Sequence, residues 1–159
     1  MRADKAKFDD FLSLSSVVTG FTAFQLQGTG QAESYFATLI DILGETTVAA
    51  LLQTFRRVRQ EAGADDAALD RLLRAAIFGD EKLGPIARNL IKLWYVGTWY
   101  QLPAVWRGVF GALEKDTTAV VSPAAYTEGL LWPAIGANPA GAKGPGYGTW
   151  SDPPRIPEV

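Results

Sequence analysis

The sequence predicts an all-α protein, a single-domain bundle of about five main helices with a Gly/Pro-rich extended C-terminal arm. Three observations support this class. Apolar residues recur at helical spacing in five segments, four of those segments end at a glycine that we interpret as the helix stop, and apolar/polar alternation persists nowhere long enough to require a strand. With 159 residues, 48% of them hydrophobic and 20% charged, the chain has the size and composition of one globular domain.

The first two predicted helices cover residues 5–19 and 31–43. Gly20 and Gly44 follow them, and glycine commonly ends a helix. The stretch between them, "GFTAFQLQGTG", is apolar but interrupted by glycines, so we interpret it as a connecting loop. The inward faces are formed by Phe8, Phe11, Leu12, Ser15 and Val18 in the first helix and by Tyr35, Phe36, Leu39, Ile40 and Leu43 in the second.

Three more helices are predicted at 47–62, 66–78 and 83–96. Glycine follows the first two of these, and Asp65 is the predicted N-cap of the helix at 66–78. The one segment that favours an extended conformation is "TTAVVS" at 117–122. The apolar stripes are Val48, Leu51, Leu52, Phe55 and Val58; Leu69, Leu72, Leu73, Ala76 and Ile77; and Ile86, Leu90, Leu93 and Trp94.

The composition divides the chain into a helical domain, 1–132, and an extended arm, 133–159. In the first 25 residues of the arm, 11 are Gly or Pro, which is incompatible with regular helix or sheet. A disordered tail is one interpretation. Disordered tails are poor in aromatic residues, however, and Trp132, Tyr147 and Trp150 lie in or beside this one. We therefore expect an arm that packs on its own domain or on a partner.

The composition also limits the chemistry. A net charge of −2 and a pI of about 5.1 are not typical of proteins that bind nucleic acid, and no apolar run is long enough to insert into a bilayer. The chain has no cysteine and no histidine, so it lacks thiolate nucleophiles and the commonest general base and metal ligand. We expect no catalytic residue, no cofactor-binding residue and no metal ligand in this chain.

Short motifs that suggest chemistry have simpler structural interpretations. "GTG" at 28–30 and "GPGYG" at 144–148 lack the spacing of phosphate-binding loops and are interpreted as turns. Adjacent carboxylates at 9–10, 65–66 and 80–81 lie near predicted helix starts, where the helix dipole favours negative charge. A stand-alone enzyme using such carboxylates is the least favoured function.

The basic run "TFRRVRQ", residues 54–60, is expected to form a solvated helix face. Its arginines point to different sides of the predicted helix. A docking site for an acidic partner stays open as the alternative.

The stretch "NLIKLWYVGTWYQLPAVWRG", residues 89–108, contains three of the five tryptophans. On a continued helix, Tyr95 and Trp99 would share a face with Arg88 and Lys92, opposite the core face. Large amphipathic aromatics outside a core are typical of interface residues. The alternative is that Trp99 and Trp106 fold back and complete the core. Both interpretations stay open. The predicted partner-binding residues are Tyr95, Trp99, Trp106, Trp132, Tyr147 and Trp150.

Three stretches in order, "FDDFLSLSSVVTGF", "NLIKLWYVGTWY" and "VSPAAYTEGLLWPAIGANPAGAKGPGYGTWSDPP", resemble the small subunit of bacterial FAD-dependent sugar and polyol dehydrogenases. This family includes the small subunits of sorbitol and fructose dehydrogenases and, more distantly, those of glucose and gluconate dehydrogenases. The resemblance covers nearly the whole chain, and the region 45–80 is its least specific part.

The resemblance implies a non-catalytic, chaperone-like subunit. In such complexes a large subunit of the glucose-methanol-choline type holds FAD and oxidises the alcohol, and a multihaem cytochrome c often accepts the electrons. The small subunit supports folding of the large one and usually carries a twin-arginine leader for export. The start "MRADKAKFDD" carries no such leader. We expect a location on the periplasmic side of the inner membrane if a leader was removed, and a cytoplasmic one otherwise. The alternative function is a free-standing adaptor for another secreted or effector cargo.

Overall fold

The protein is all-α, as the sequence predicts. The computed structural model describes residues 2–139, with side chains described from Lys5 onward. Its elements are α1 Arg2–Thr19, α2 Ala23–Gly28, α3 Ala32–Leu43, α4 Glu45–Ala62, α5 Asp66–Leu73, a π-helical turn Arg74–Phe78, α6 Leu83–Val96, β1 Thr98–Trp99, α7 Ala104–Phe110, β2 Ala119–Val120, α8 Pro123–Thr127 and α9 Leu131–Ala134.

The core lies where α1, α3, α4 and α6 meet. Phe11 of α1 and Tyr35 of α3 pack against Trp94 of α6, with ring centroids 6.1 and 4.9 Å apart. Phe55 of α4 is also fully buried. These aromatics lie on the inward faces that the apolar spacing predicts, so burial of those faces accounts for the bundle.

All five predicted helices are present, with ends within a few residues of the expected ones. The helix at 83–96 matches α6 at both ends. The helix at 66–78 begins as α5 with the Asp65 side chain accepting a hydrogen bond from Ala68 N, as expected of an N-cap, and then widens into the π-helical turn. The extended segment at 117–122 contains β2, which pairs antiparallel with β1, Thr98 opposite Val120.

The interpretation of 20–30 as a loop is wrong, because α2 forms within it. Thr22 and Gln25 make a capping box: Gln25 N donates to Thr22 Oγ1 at 3.2 Å, and Thr22 N donates to Gln25 Oε1 at 2.9 Å. Leu26 is fully buried and fixes this short helix on the domain. The capping box and one buried leucine therefore outweigh the flanking glycines.

The continuation of helix from Tyr95 to Trp99 is also wrong. Helix α6 ends at Gly97, which adopts the left-handed conformation, φ +66°. A Cβ at Gly97 would lie 2.5 Å from the carbonyl group of Ala125, so only glycine fits this close approach of the two segments. Trp99 consequently lies on β1 and not on a helix face.

The predicted boundary at residue 133 and most of the predicted arm stay predictions. Helix α9 ends at Ala134, and the chain is described as far as Pro139, which is buried. Residues 140–159, including Tyr147 and Trp150, lie outside the described residues.

Within the described part of the chain, no single helix has the length and apolarity needed to span a membrane. Helices α3 and α4 pass that test only as a pair, and they are bent by 118° relative to each other.

Candidate functional site

The strongest candidate site is the outer surface of α7, which follows the aromatic stretch. After α6 ends at Gly97, β1 carries the chain to Pro103, which immediately precedes α7 and has an extended conformation. Proline suits this position because its fixed φ is compatible with the start of a helix. Pairing of β1 with β2 fixes the segment that leads into α7.

Trp99 is buried beneath this segment and hydrogen-bonded to a buried carboxylate. Its indole Nε1 donates to Asp116 Oδ1 at 2.8 Å. Leu102 N donates to both carboxylate oxygens of Asp116, at 3.1 and 3.0 Å, and Gln101 Nε2 donates to the Asp116 carbonyl at 2.9 Å. Because a buried carboxylate must be hydrogen-bonded to be stable, these contacts fix the approach to α7.

Trp106 holds α7 against the start of α6. Its ring is buried, and its Nε1 donates to the carbonyl of Lys82 at 2.9 Å. The Phe110 ring packs against Trp106 at 5.3 Å between centroids, and Lys82 Nζ lies 5.8 Å from the centroid of Phe110. One side of α7 is therefore fixed by packing and hydrogen bonds.

The other side of α7 exposes apolar groups. Val105 is 79% exposed and Val109 65%, and Phe110, which packs on Trp106, is still 37% exposed. They line a shallow cavity of about 370 Å³, here called the α7 groove, whose full lining is Glu81, Pro85, Pro103, Val105, Trp106, Val109 and Phe110. Exposed apolar residues that line one groove on a fixed helix form a surface suited to binding another apolar surface.

Trp106 lines the α7 groove but is almost fully buried, and Trp99 is buried and does not line it. The sequence leaves two interpretations of these tryptophans open. Both side chains are buried, which agrees with the interpretation that they complete the core. The exposed residues Val105 and Val109 were not among the sequence-predicted site residues. The segment "PAVWRGVF" does contain a sequence signal for an apolar helix surface. It has two apolar pairs at i, i+4 spacing, Val105 with Val109 and Trp106 with Phe110.

Tyr95 and Trp132 lie elsewhere, half-buried. Tyr95 Oη donates to the carbonyl of Thr19 at 2.8 Å, and its ring packs edge-on against Phe21 at 6.1 Å. Trp132 Nε1 donates to the carbonyl of Tyr126 at 2.8 Å. Phe21 and Trp132 line a second cavity of about 420 Å³, and Pro139, the last residue that the structure describes, lines it as well. Tyr95 and Trp132 are thus not among the residues that line the α7 groove, whereas Trp106 is.

Three of the carboxylates singled out in the sequence have structural roles, but the expectation that the pair at 9–10 lies near a helix start is wrong, because α1 begins at Arg2 and places this pair in mid-helix. Asp65 caps α5, and Asp80 Oδ1 accepts hydrogen bonds from the backbone N–H groups of Lys82 and Leu83. Asp10 forms an ion pair with Arg56 between α1 and α4. The described residues contain no group of three or more His, Cys, Asp or Glu side chains placed to hold a metal ion.

The basic run at 54–60 is partly engaged within the domain. Arg59 donates to the Ser13 hydroxyl, as Arg56 does to Asp10, so two of its three arginines link α4 to α1. Arg57 is exposed.

Comparison with models of known protein families, with curated proteins and with solved structures finds no match.

Proposed function

We propose that this chain is the non-catalytic small subunit of an FAD-dependent sugar or polyol dehydrogenase of the glucose-methanol-choline type. It acts as a chaperone-like partner that supports the folding, stability and export of the large subunit. The subunit role comes from the resemblance of the three stretches named above. The location of the contact surface comes from the α7 groove.

The observation that carries the proposal is the exposure of Val105, Val109 and Phe110 on a helix whose opposite side is fixed. Apolar side chains clustered on a rigid surface suit protein association, since little conformational freedom is lost when they are covered. Burial of an exposed aliphatic side chain contributes about 1.5–3 kcal/mol. A large subunit covering this groove would therefore gain stability from contact with this chain.

In this proposal the FAD belongs to the large subunit, and a multihaem cytochrome c takes the electrons onward. The complex lies on the periplasmic side of the inner membrane. This chain contributes packing surface only, with no direct membrane insertion and no contact with nucleic acid.

The test is a pull-down from the native host with the tagged full-length chain, followed by mass spectrometry and a flavin absorbance scan. We expect a stoichiometric, yellow partner. Val109→Glu, which places a charge in the α7 groove, should reduce the recovered flavin at least about tenfold, the loss expected for a residue at the centre of an interface. The matched control is Val120→Glu on β2, a valine that is 57% exposed and does not line the groove.

Three results would contradict the proposal in different ways. A colourless partner whose recovery still depends on Val109 would favour the adaptor for another cargo. Equal recovery of flavin with both glutamate variants would place the interface outside the α7 groove. Recovery of the tagged chain alone would remove the subunit role altogether.

A further inference from the structure

A third cavity, separate from the α7 groove and from the cavity beside Trp132, lies between α1, α5 and the π-helical turn. Its volume is about 660 Å³, within the range of small-molecule sites. We call it the α5 pocket, and it is lined by Val17, Val18, Asp66, Leu69, Asp70, Leu73, Arg74, Phe78 and Arg88. Its aliphatic and aromatic members come from three separate elements: α1, α5 and the π-helical turn.

The charged groups of the α5 pocket are not equivalent. Asp70 Oδ2 and Arg74 Nε lie 2.8 Å apart, and the hydrogen bond from Arg74 lowers the pKa of the Asp70 carboxyl. These two groups therefore neutralise each other. Asp66 lies in the first turn of α5, where the helix dipole favours its negative charge. It also borders a neighbouring depression lined by Ser13 and Arg59.

Arg88 is the remaining charge, and its guanidinium is held in place without a carboxylate. Its Nη2 donates to the carbonyl of Phe78 at 2.9 Å. Among the described residues, no carboxylate lies within ion-pair distance of it. Gly84 provides room for this arrangement, since a Cβ there would lie 2.6 Å from the Phe78 oxygen and 3.0 Å from Arg88 Nη1.

The π-helical turn brings these groups together. Gly79 N donates to the carbonyl of Arg74 at 2.8 Å, the wide spacing of a π turn, and Phe78, the last residue of the turn, lines the pocket. Turns of this kind are frequent at functional sites. The lining of the α5 pocket therefore combines apolar side chains with one guanidinium that is held by a backbone carbonyl.

We propose that the α5 pocket binds an amphipathic carboxylate, a molecule with an unbranched apolar chain and one carboxylate head. The apolar chain lies against Val17, Leu69 and Leu73, and the head accepts hydrogen bonds from Arg88. A guanidinium suits this role because its planar donors match the two oxygens of a carboxylate. The Asp66 carboxylate, which also lines the pocket, repels an anionic head and so favours its placement at Arg88.

Octanoate is the probe, and ¹⁵N-labelled full-length protein is the sample. Titration followed by two-dimensional NMR should shift the amide signals of Leu69, Leu73 and Phe78 in a saturable manner. Octylammonium, which has the same tail and the opposite charge, should bind at least about tenfold more weakly, a difference of about 1.4 kcal/mol.

Two variants and one control test where the carboxylate and the apolar chain of octanoate bind. Arg88→Gln should weaken octanoate binding about tenfold or more, as expected for loss of a charge-assisted hydrogen bond. The control Arg57→Gln, an exposed arginine outside the pocket, should change it less than about twofold. Val17→Trp, which fills the pocket from the surface of α1, should abolish binding even if Arg88→Gln proves unstable.

Equal affinity for octanoate and octylammonium would overturn the proposal, because Arg88 would then not select the ligand. Unchanged octanoate binding in both Arg88→Gln and Val17→Trp would also overturn it, as would shifts confined to the α7 groove. The outcome does not depend on the dehydrogenase partner, which is absent from this experiment.

Discussion

The Trp99–Asp116 contact provides a quantitative test of how α7 is held. Replacing Asp116 with alanine removes the acceptor of two buried donors, Trp99 Nε1 and Leu102 N. Both N–H groups would stay buried without partners. The hydrogen bond from the Gln101 side-chain Nε2 to the Asp116 carbonyl does not involve the Asp116 side chain and would be kept.

The magnitude follows from the number of donors left unpaired. A buried donor without a partner costs about 1–3 kcal/mol, so two of them predict a loss of about 2–6 kcal/mol in the free energy of unfolding. The control is Asp41→Ala, which removes an exposed ion pair with Lys115. Surface pairs contribute about 0–1 kcal/mol, so this variant should be close to wild type.

Urea denaturation followed by tryptophan fluorescence measures both variants, with an unchanged slope as the check that the denatured state is comparable. If Asp116→Ala loses no more stability than Asp41→Ala, the reasoning is refuted, and the segment before α7 is held by something other than this carboxylate.

Three further predictions use the same denaturation assay. Gly97→Ala should cost about 2–5 kcal/mol, from the left-handed φ and the collision with Ala125, whereas Gly108→Ala, on an open surface of α7, should gain about 0.5–1 kcal/mol; similar values for the two would be inconsistent with the close approach at Gly97. Thr22→Ala should cost about 1 kcal/mol by removing the capping box of α2, and no loss would mean that the cap does not stabilise this helix. Burial, together with the charge of Glu128, raises the pKa of Tyr35, so its contribution to stability is complete below the unfolded pKa of about 10 and is lost above it, by about 1.4 kcal/mol per pH unit. Tyr35→Phe should therefore lose less stability than wild type between about pH 10 and pH 11, and parallel pH profiles would contradict the assignment.

The helices of the core were predictable from local patterns. In α6, the spacing of Ile86, Leu90 and Leu93 identifies the buried face, but the helix stop at Gly97 was missed when the helix was continued to Trp99. Such patterns depend on burial of one stripe, which the sequence records directly. Helix α2 was also predictable in principle, because Thr22 and Gln25 have capping-box spacing, but the flanking glycines favoured a loop.

The exposed apolar surface of α7 was harder to predict from the sequence than the core helices. Both Val105/Val109 and Trp106/Phe110 are apolar pairs on α7, and periodicity does not decide which pair faces the core. That choice depends on tertiary contacts, above all the hydrogen bond from Trp106 to the Lys82 carbonyl, 24 residues away in sequence. The position of the Arg88 guanidinium likewise depends on tertiary contacts. It donates to the Phe78 carbonyl, at the end of the π-helical turn, and the missing side chain of Gly84 leaves room for it.

The most direct test of the proposed function is expression of the FAD-dependent large subunit with and without this chain. Flavin content, solubility and alcohol oxidation of the large subunit are measured in both cases, and the Val109→Glu variant is included as a third arm. The account predicts a soluble, flavin-loaded and active large subunit only when the wild-type chain is present. A large subunit that is soluble, flavin-loaded and fully active alone would contradict it.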